Sequence, residues 1–127
     1  MRTYHVTVER EDEFHARASA HGHTLSVGVK RGDSTAGFNA AETLLAALGT
    51  CLITNVNALA DKMRLQVDDV RVEIAGDRRD EPPGIVQIRY RLLLDSPELP
   101  EKLERLHELA LEWGTVTNTL RDGVAVE

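Results

Sequence analysis

The amino-acid sequence predicts an α+β fold, and three observations support that prediction. Short stretches near the N-terminus alternate apolar and polar residues, which is typical of half-buried strands. A run over residues 43–60 has no charged residue, and its apolar residues recur every three or four positions, as in a helix. Two more alternating stretches and a second amphipathic helix follow. The predicted order is βββ–α–ββ–α–(α)–β, in a single domain spanning residues 1–127.

The composition and charge of the 127 residues exclude several classes of function. The formal net charge is −6, and because phosphate neutralisation needs a basic surface, no nucleic-acid partner is expected. The single cysteine, Cys51, excludes an intrachain disulfide, so the fold does not depend on an oxidising compartment. The N-terminus lacks the apolar run of a signal peptide. We therefore expect a cytoplasmic protein.

Three predicted strands form an N-terminal meander. The first spans residues 3–9, the second spans 13–20, and a turn at His21-Gly22 leads into the third. Residues 30–37 are a loop by composition, and the Arg-Gly-Asp tripeptide within them is interpreted as a turn. The predicted inward-facing residues of the meander are Tyr4, Val6, Val8, Phe14, Ala16, Ala18, Leu25, Val27 and Val29.

The uncharged run is predicted to be a long helix that ends near residues 61–64. Asn39 and Glu42 have the spacing of a variant capping box at its start. A helix without a charged face is buried on most sides, by a sheet, a second helix or another subunit. The run is about as long as a short membrane span of roughly 17–25 residues. However, its three Thr, two Asn and one Gly argue against a membrane.

The C-terminal half is predicted to contain a β-hairpin followed by helices. Residues 70–74 and 85–94 alternate as strands and are joined by a charged connection over residues 77–84. Pro100 suits the first turn of a second helix, and Gly114 is a natural stop. Residues 115–120 can begin a further short helix. Residues 124–126 are predicted to form a closing strand.

Cys51 is the one candidate nucleophile, and its residue context leaves two interpretations open. Free cysteine often behaves as a small buried hydrophobe. A reactive thiolate needs a helix N-terminus or nearby cations. Cys51 lies about three turns into the helix, with no local cation. A Cys–His dyad with His23 is a further hypothesis. His21 and His23 are too few for a structural zinc site, so no metal is expected.

Residues 38–51 resemble the signature of the OsmC/Ohr family. They read Phe-Asn-Ala-Ala-Glu-Thr-Leu-Leu-Ala-Ala-Leu-Gly-Thr-Cys, against approximately Pro-x-Glu-Leu-Leu-Leu-Ala-Ala-Leu-Gly-Ser-Cys. The predicted hairpin, the Leu-rich second helix and residues 116–120 also follow the family's order, so the resemblance covers nearly the whole chain. It implies an OsmC-like fold in an intertwined homodimer, in which sheets enclose two long central helices and the sites lie at the subunit interface.

The resemblance also implies a chemistry, the thiol-dependent reduction of organic hydroperoxides. Cys51 matches the family's peroxidatic cysteine, which attacks the peroxide and becomes a sulfenic acid. Glu42 matches the glutamate nine residues before it. The family's assisting arginine falls near His23, and Arg17 and Arg31 are the other candidates to stabilise the thiolate.

The family's second, resolving cysteine falls at Gly114, so it is absent from this chain. The resemblance therefore implies a one-Cys peroxidase that needs no cofactor. Its partners would be a second copy of the chain, a small organic hydroperoxide and an external thiol, which reduces the sulfenic acid. The alternative is a non-catalytic dimeric module that binds a small apolar ligand, with Cys51 only a packing residue.

Overall fold

The computed structural model describes all residues, Met1–Glu127, and confirms the α+β class. The chain divides into two compact units, Met1–Leu44 and Leu45–Glu127. Helix α1 begins in the first unit and continues in the second. In chain order the elements are β1 (Thr7–Arg10), β2 (His15–Ala20), β3 (His23–Gly28), α1 (Ala40–Met63), β4 (Asp69–Asp80), β5 (Pro83–Asp95), α2 (Pro100–Glu112) and α3 (Thr115–Asp122).

The first unit contains the predicted meander, an antiparallel sheet of order β1-β2-β3. The turn between β2 and β3 is confirmed at His21-Gly22, where φ is +34° and +85°. Positive φ at both central residues defines the tight two-residue turn whose twist matches that of a hairpin. The register pairs Ala18 with Val8 on one side and Leu25 on the other, so these three residues share the apolar face of the sheet.

The first strand is shorter and more exposed than predicted. β1 begins at Thr7 rather than at residue 3. Tyr4, Val6 and Val8 are 76%, 64% and 61% exposed. β1 is an edge strand paired only with β2, whose residues on that face are alanines, too small to cover larger neighbours. Of the residues predicted to face inward, only Ala16 is fully buried.

The Arg-Gly-Asp tripeptide of residues 31–33 lies in a turn, as predicted. The backbone N–H of Asp33 donates to the carbonyl of Lys30, at 3.1 Å. The Asp33 carboxylate in turn accepts the backbone N–H of Thr35 at 2.8 Å and its hydroxyl at 2.6 Å. Local side-chain bonds of this kind are typical of turns that carry aspartate.

The core of the second unit lies between α1, α2 and the β4–β5 hairpin. Its central cluster is formed by Val56 and Ala60 of α1 with Leu106 and Ala110 of α2. At Gly49 the helix approaches the hairpin closely, because a Cβ there would lie 3.1 Å from Ile74 Cδ1. Partly buried residues that surround the cluster are Leu59, Met63, Leu65, Val67, Val70, Leu92, Leu94 and Leu103.

The hairpin is longer than predicted. The charged segment 77–84 was predicted to be the connection, but β4 continues to Asp80 and β5 begins at Pro83. Asp77 and Arg89 form an ion pair across the strands, so these charges lie on an exposed surface of the sheet and do not interrupt it. The guanidinium of Arg89 also lowers the pKa of the Asp77 carboxyl.

The C-terminal elements confirm two predictions and contradict one. α2 begins at Pro100, and the short helix predicted from residue 115 is present as α3. The closing strand predicted over residues 124–126 is absent. α3 ends at Asp122, and the φ of +74° at the next residue, Gly123, redirects the chain. No strand of this chain pairs with the residues that follow. Val124 and Val126 are 72% and 94% exposed.

Candidate functional site

Cys51 lies in the middle of α1, at the border between a buried and an exposed side. Each residue turns an α-helix by about 100°. Leu48, Leu52 and Val56, on the buried side, are fully covered. Cys51 is only partly buried and is a free thiol. The sulfur is thus anchored beside the core without being sealed inside it.

One polar side chain contacts the sulfur. The Asn55 amide donates through Nδ2 to Cys51 Sγ at 3.6 Å. The two residues are four apart on α1, and helical side chains tilt toward the N-terminus, so Asn55 reaches back over the turn that carries Cys51. Sequence reasoning missed Asn55. The available signal was the spacing of four between a cysteine and an amide inside an uncharged helix.

The exposed side of α1 carries no charge around Cys51. The hydroxyls of Thr50 and Thr54 donate to the carbonyls of Ala46 and Thr50, both at 2.8 Å, which satisfies them within the helix. We call the following exposed residues the uncharged surface of α1: Ala46, Ala47, Thr50, Thr54, Asn57 and Ala58.

α1 is long and apolar enough to cross a membrane by length and composition alone. Its buried side, however, packs into the core through Val56 and Ala60. The expectation that α1 does not span a membrane stays a prediction.

Glu42 caps the start of α1, as its spacing from Asn39 predicts. The backbone N–H of Asn39 donates to Glu42 Oε1 at 3.0 Å, and the backbone N–H of Glu42 donates to Asn39 Oδ1 at 2.8 Å. These reciprocal bonds are those of a capping box. The capping role is confirmed, while a role for Glu42 at Cys51, nine residues further along, stays a prediction.

The other predicted site residues belong to the first unit, and two of them face in opposite directions. Arg17 is paired in register with Glu9 and Ser26, whereas His23 is paired with Ala20 on the other face of the meander. His23 packs edge to face against His21, with ring centroids 5.9 Å apart. Cooperation of Arg17 and His23 on one face of this sheet is therefore excluded.

Arg31 is exposed in the turn of residues 31–33. Neither it nor Arg17 forms a salt bridge within the chain. Cys51 belongs to the second unit. The roles of Arg17, Arg31 and His23 at Cys51 stay predictions.

Gly114, the position that the resemblance assigns to a resolving cysteine, is closed to a side chain. A Cβ there would lie 2.7 Å from Thr117 Oγ1, which is closer than real contacts allow. Thr117 is 6% exposed, and its hydroxyl has no hydrogen-bond partner. The sequence gives no signal for this contact, because it depends on how α2 turns into α3.

A second polar pair, also missed from the sequence, joins the hairpin to α2. Tyr90 Oη and His107 Nε2 are 2.6 Å apart, and burial raises the pKa of the Tyr90 phenol. A groove of about 330 Å³ lies beside His107. It is lined by Leu92, Leu94, Pro100, Leu103, Glu104 and His107. No group of three or more His, Cys, Asp or Glu side chains could hold a metal ion.

Fold and site together define an α+β protein with one cysteine midway along a capped helix that presents an uncharged side. The family can be identified directly. A model of the OsmC-like protein family matches residues 31–127, which is most of the sequence. The chain therefore belongs to the OsmC-like family, as residues 38–51 predict. No curated protein matches it.

Solved structures share the fold at low sequence identity. An OsmC-like protein from Mycoplasma pneumoniae aligns with a TM-score of 0.86 and 18% identity, covering 97% of this chain and 89% of that one. The organic hydroperoxide resistance protein OsmC from Legionella pneumophila aligns with a TM-score of 0.68 and 16% identity, covering 100% of this chain and 95% of that one. The organic hydroperoxide resistance protein OhrB of Bacillus subtilis aligns with a TM-score of 0.65 and 18% identity, covering 99% of this chain and 96% of that one. These matches confirm the OsmC-like fold.

Proposed function

We propose that this protein reduces small organic hydroperoxides through Cys51, with an external thiol as the reductant. The observation that carries the proposal is the place of Cys51: a partly exposed thiol on the long helix, inside the segment that matches the family. Two proteins of the same fold are named for organic hydroperoxide resistance.

The proposed reaction needs one sulfur and no bound cofactor. The Cys51 thiolate attacks one oxygen of the peroxide, so that an S–O bond forms while the O–O bond breaks. The departing alkoxide takes a proton and leaves as an alcohol, and Cys51 becomes a sulfenic acid. An external thiol then condenses with the sulfenic acid, releasing water and forming a mixed disulfide. A second thiol displaces Cys51 and restores it.

The external thiol follows from the absence of a second cysteine. A reducing, cytoplasmic compartment supplies such thiols. In this proposal Arg17 or Arg31 stabilises the thiolate, Glu42 adds to the site while capping α1, and His23 is the alternative partner of the sulfur. Because Arg17 and His23 lie on opposite faces of the meander, single substitutions of each would show which of them acts.

We further propose that the working form is a homodimer. The uncharged surface of α1 lies beside Cys51 and is exposed in the single chain. Half of its residues are alanines, and exposed apolar patches are typical of interaction sites. A second copy of α1 packed there would bury this surface, as is expected for a helix that has no charged side.

The test is consumption of cumene hydroperoxide by the purified protein with dithiothreitol. Cys51→Ser should abolish turnover, because serine cannot form the sulfenic acid, whereas the control Thr119→Ser, at an exposed position of α3, should retain it. Turnover that is the same in wild type and Cys51→Ser would refute the proposed reaction.

The groove beside His107 favours a second candidate, a binding module for a small apolar ligand. Four of its six lining residues are apolar. In this alternative Cys51 is a packing residue, so wild type would consume no hydroperoxide and Cys51→Ser would bind the ligand as well as wild type does.

A further inference from the structure

Asn55 is the one side chain of this chain that donates a hydrogen bond to the sulfur of Cys51. Its Nδ2 lies 3.6 Å from Sγ. The arrangement is fixed by the helix, because a spacing of four places the two side chains on the same side of α1, one turn apart. The donor therefore needs no other element of the fold to bring it to the sulfur.

The surroundings of Asn55 distinguish it from the other polar residues of α1. Thr50 and Thr54 donate to the backbone of the helix itself. Asn57 is exposed, and its side chain has no partner in the chain. Asn55 is partly buried beside the core and directs its amide to the sulfur. Asparagine is a poorer helix former than alanine, so local helix propensity does not explain its presence there.

We propose that Asn55 stabilises the Cys51 thiolate and acts as a catalytic residue in the proposed peroxide reduction. Its role in turnover rests on the proposed function, whereas its effect on the thiolate does not. A hydrogen bond strengthens when its acceptor carries a full charge, so the Asn55 N–H favours the thiolate over the thiol. The thiolate is the form that attacks a peroxide.

The amide is not consumed in the reaction. Sulfur gives an electron pair to the peroxide oxygen, the O–O bond breaks, and the proton that completes the alcohol comes from solvent. Asn55 keeps its N–H throughout and lowers the barrier only by holding charge on the sulfur. Its removal should therefore slow every reaction that requires the thiolate, whatever the electrophile.

The experiment measures the rate at which iodoacetamide alkylates the folded protein between pH 6 and pH 10. Cys51 is the only cysteine, so the rate reports on it alone. Asn55→Leu keeps the size of the side chain and removes the donor. We expect alkylation at pH 7 to slow by about three- to tenfold, the effect of losing one hydrogen bond of about 1 kcal/mol. Near pH 10 the two rates should converge if the donor acts only by favouring the thiolate.

Asn55→Asp is the second variant, and it keeps the shape of the side chain even better. It replaces the donor by a negative charge, so the rate at pH 7 should fall further than in Asn55→Leu. Asn118→Leu makes the same change at an exposed position of α3 and should alkylate within about twofold of wild type, because the Asn118 amide donates to the carbonyl of Glu112 and not to the sulfur.

The outcomes separate the two proposals. Equal alkylation rates at pH 7 in wild type, Asn55→Leu and Asn55→Asp would refute the role of Asn55, even if Cys51 reduces peroxides. A rate loss that persists unchanged at pH 10 would also refute it, since that result indicates altered access. Hydroperoxide turnover that survives Cys51→Ser would instead refute the proposed function and leave the alkylation result standing.

Discussion

Gly114 lies at the junction of α2 and α3, with almost no room for a side chain. A Cβ there would approach the side chain of Thr117 at 2.7 Å and the backbone carbonyl of Ala110 at 3.2 Å. A cysteine introduced at this position would therefore have to displace Thr117 or the backbone. The packing around Gly114 leaves no space for a cysteine at the position that the resemblance assigns to a resolving one, which is consistent with an external thiol in the proposed reaction.

We expect Gly114→Ala to lower the free energy of unfolding by about 1–3 kcal/mol, the usual cost of overpacking a closed site. Urea denaturation followed by circular dichroism measures the change. Gly84→Ala is the matched control, because a Cβ there would meet only the end of the Arg79 side chain, at 3.5 Å. Its effect should be smaller.

Thr117→Ala tests whether the contact is the cause. It removes the hydroxyl that the new Cβ would strike, so the double variant should lose less stability than the sum of the single variants, as expected for residues in contact. If Gly114→Ala is as stable as wild type, the site is open and a resolving cysteine could be accommodated there.

Single residues also show what could be predicted from the sequence. The bonds between Asn39 and Glu42 follow from a spacing of three at a helix start, so they were predictable. The bond from Asn55 to Cys51 and the closed space at Gly114 were not. Both contacts are local in sequence, three or four residues apart, but the first depends on how the Asn55 side chain is oriented on α1 and the second on how α2 turns into α3.

At the level of elements, α1 is fixed at its start by the capping box and in its second half by the core. Gly49 brings it against Ile74 of β4, while Val56 and Ala60 pack against α2. Cys51 lies between these anchors. Glu42 consequently has two separable properties, a carboxylate oxygen that accepts the cap bond and a negative charge that the proposed site could use.

Glu42→Gln separates those two properties. The glutamine carbonyl can still accept the backbone N–H of Asn39, so unfolding free energy should stay within about 0.5 kcal/mol of wild type, with a small loss from the helix dipole. Glu42→Ala removes the bond and should cost about 0.5–1.5 kcal/mol. If the charge matters at Cys51, hydroperoxide turnover should fall in both variants.

Glu101→Ala is the control for the stability effect. Glu101 lies in the first turn of α2, where no side-chain cap bond is formed, so its replacement should cost less than that of Glu42. Equal losses in Glu42→Ala and Glu101→Ala would mean that the cap contributes nothing. Full turnover in Glu42→Gln would mean that the Glu42 charge has no catalytic role.

The strands show why element boundaries were harder to predict than their order. Alternation correctly located the meander and the hairpin, because period-two patterns depend only on local sequence. It failed for residues 124–126, where alternation is present but no strand of this chain is available for pairing. It also cuts the hairpin short at residues 77–84, where the charge density indicates a loop although the ion pair of Asp77 with Arg89 lies on the sheet.

At the scale of the whole molecule, the uncharged surface of α1 is not covered by any other part of the chain. The sequence predicted a helix buried on most sides, yet the single chain leaves that side of α1 exposed. A two-fold dimer would cover this surface, because the same patch on each subunit then packs against its copy on the other. The same contact would place a second subunit beside Cys51, as the resemblance to the family implies.

A charge placed in the uncharged surface of α1 should therefore dissociate the protein. We expect wild type to sediment at twice the 14.1 kDa of the chain. Ala58→Glu should shift it toward the monomer, because a glutamate buried in an apolar contact loses its hydration without a partner. Lys62→Glu, at the end of α1 beyond the uncharged surface, is the control and should remain dimeric. Sedimentation equilibrium at several concentrations measures both.

Thermal stability should also rise with protein concentration for wild type and not for Ala58→Glu, because association stabilises only the folded chain. A wild-type mass of one chain at all concentrations would rule out the dimer, and a dimeric Ala58→Glu would move its interface away from this side of α1.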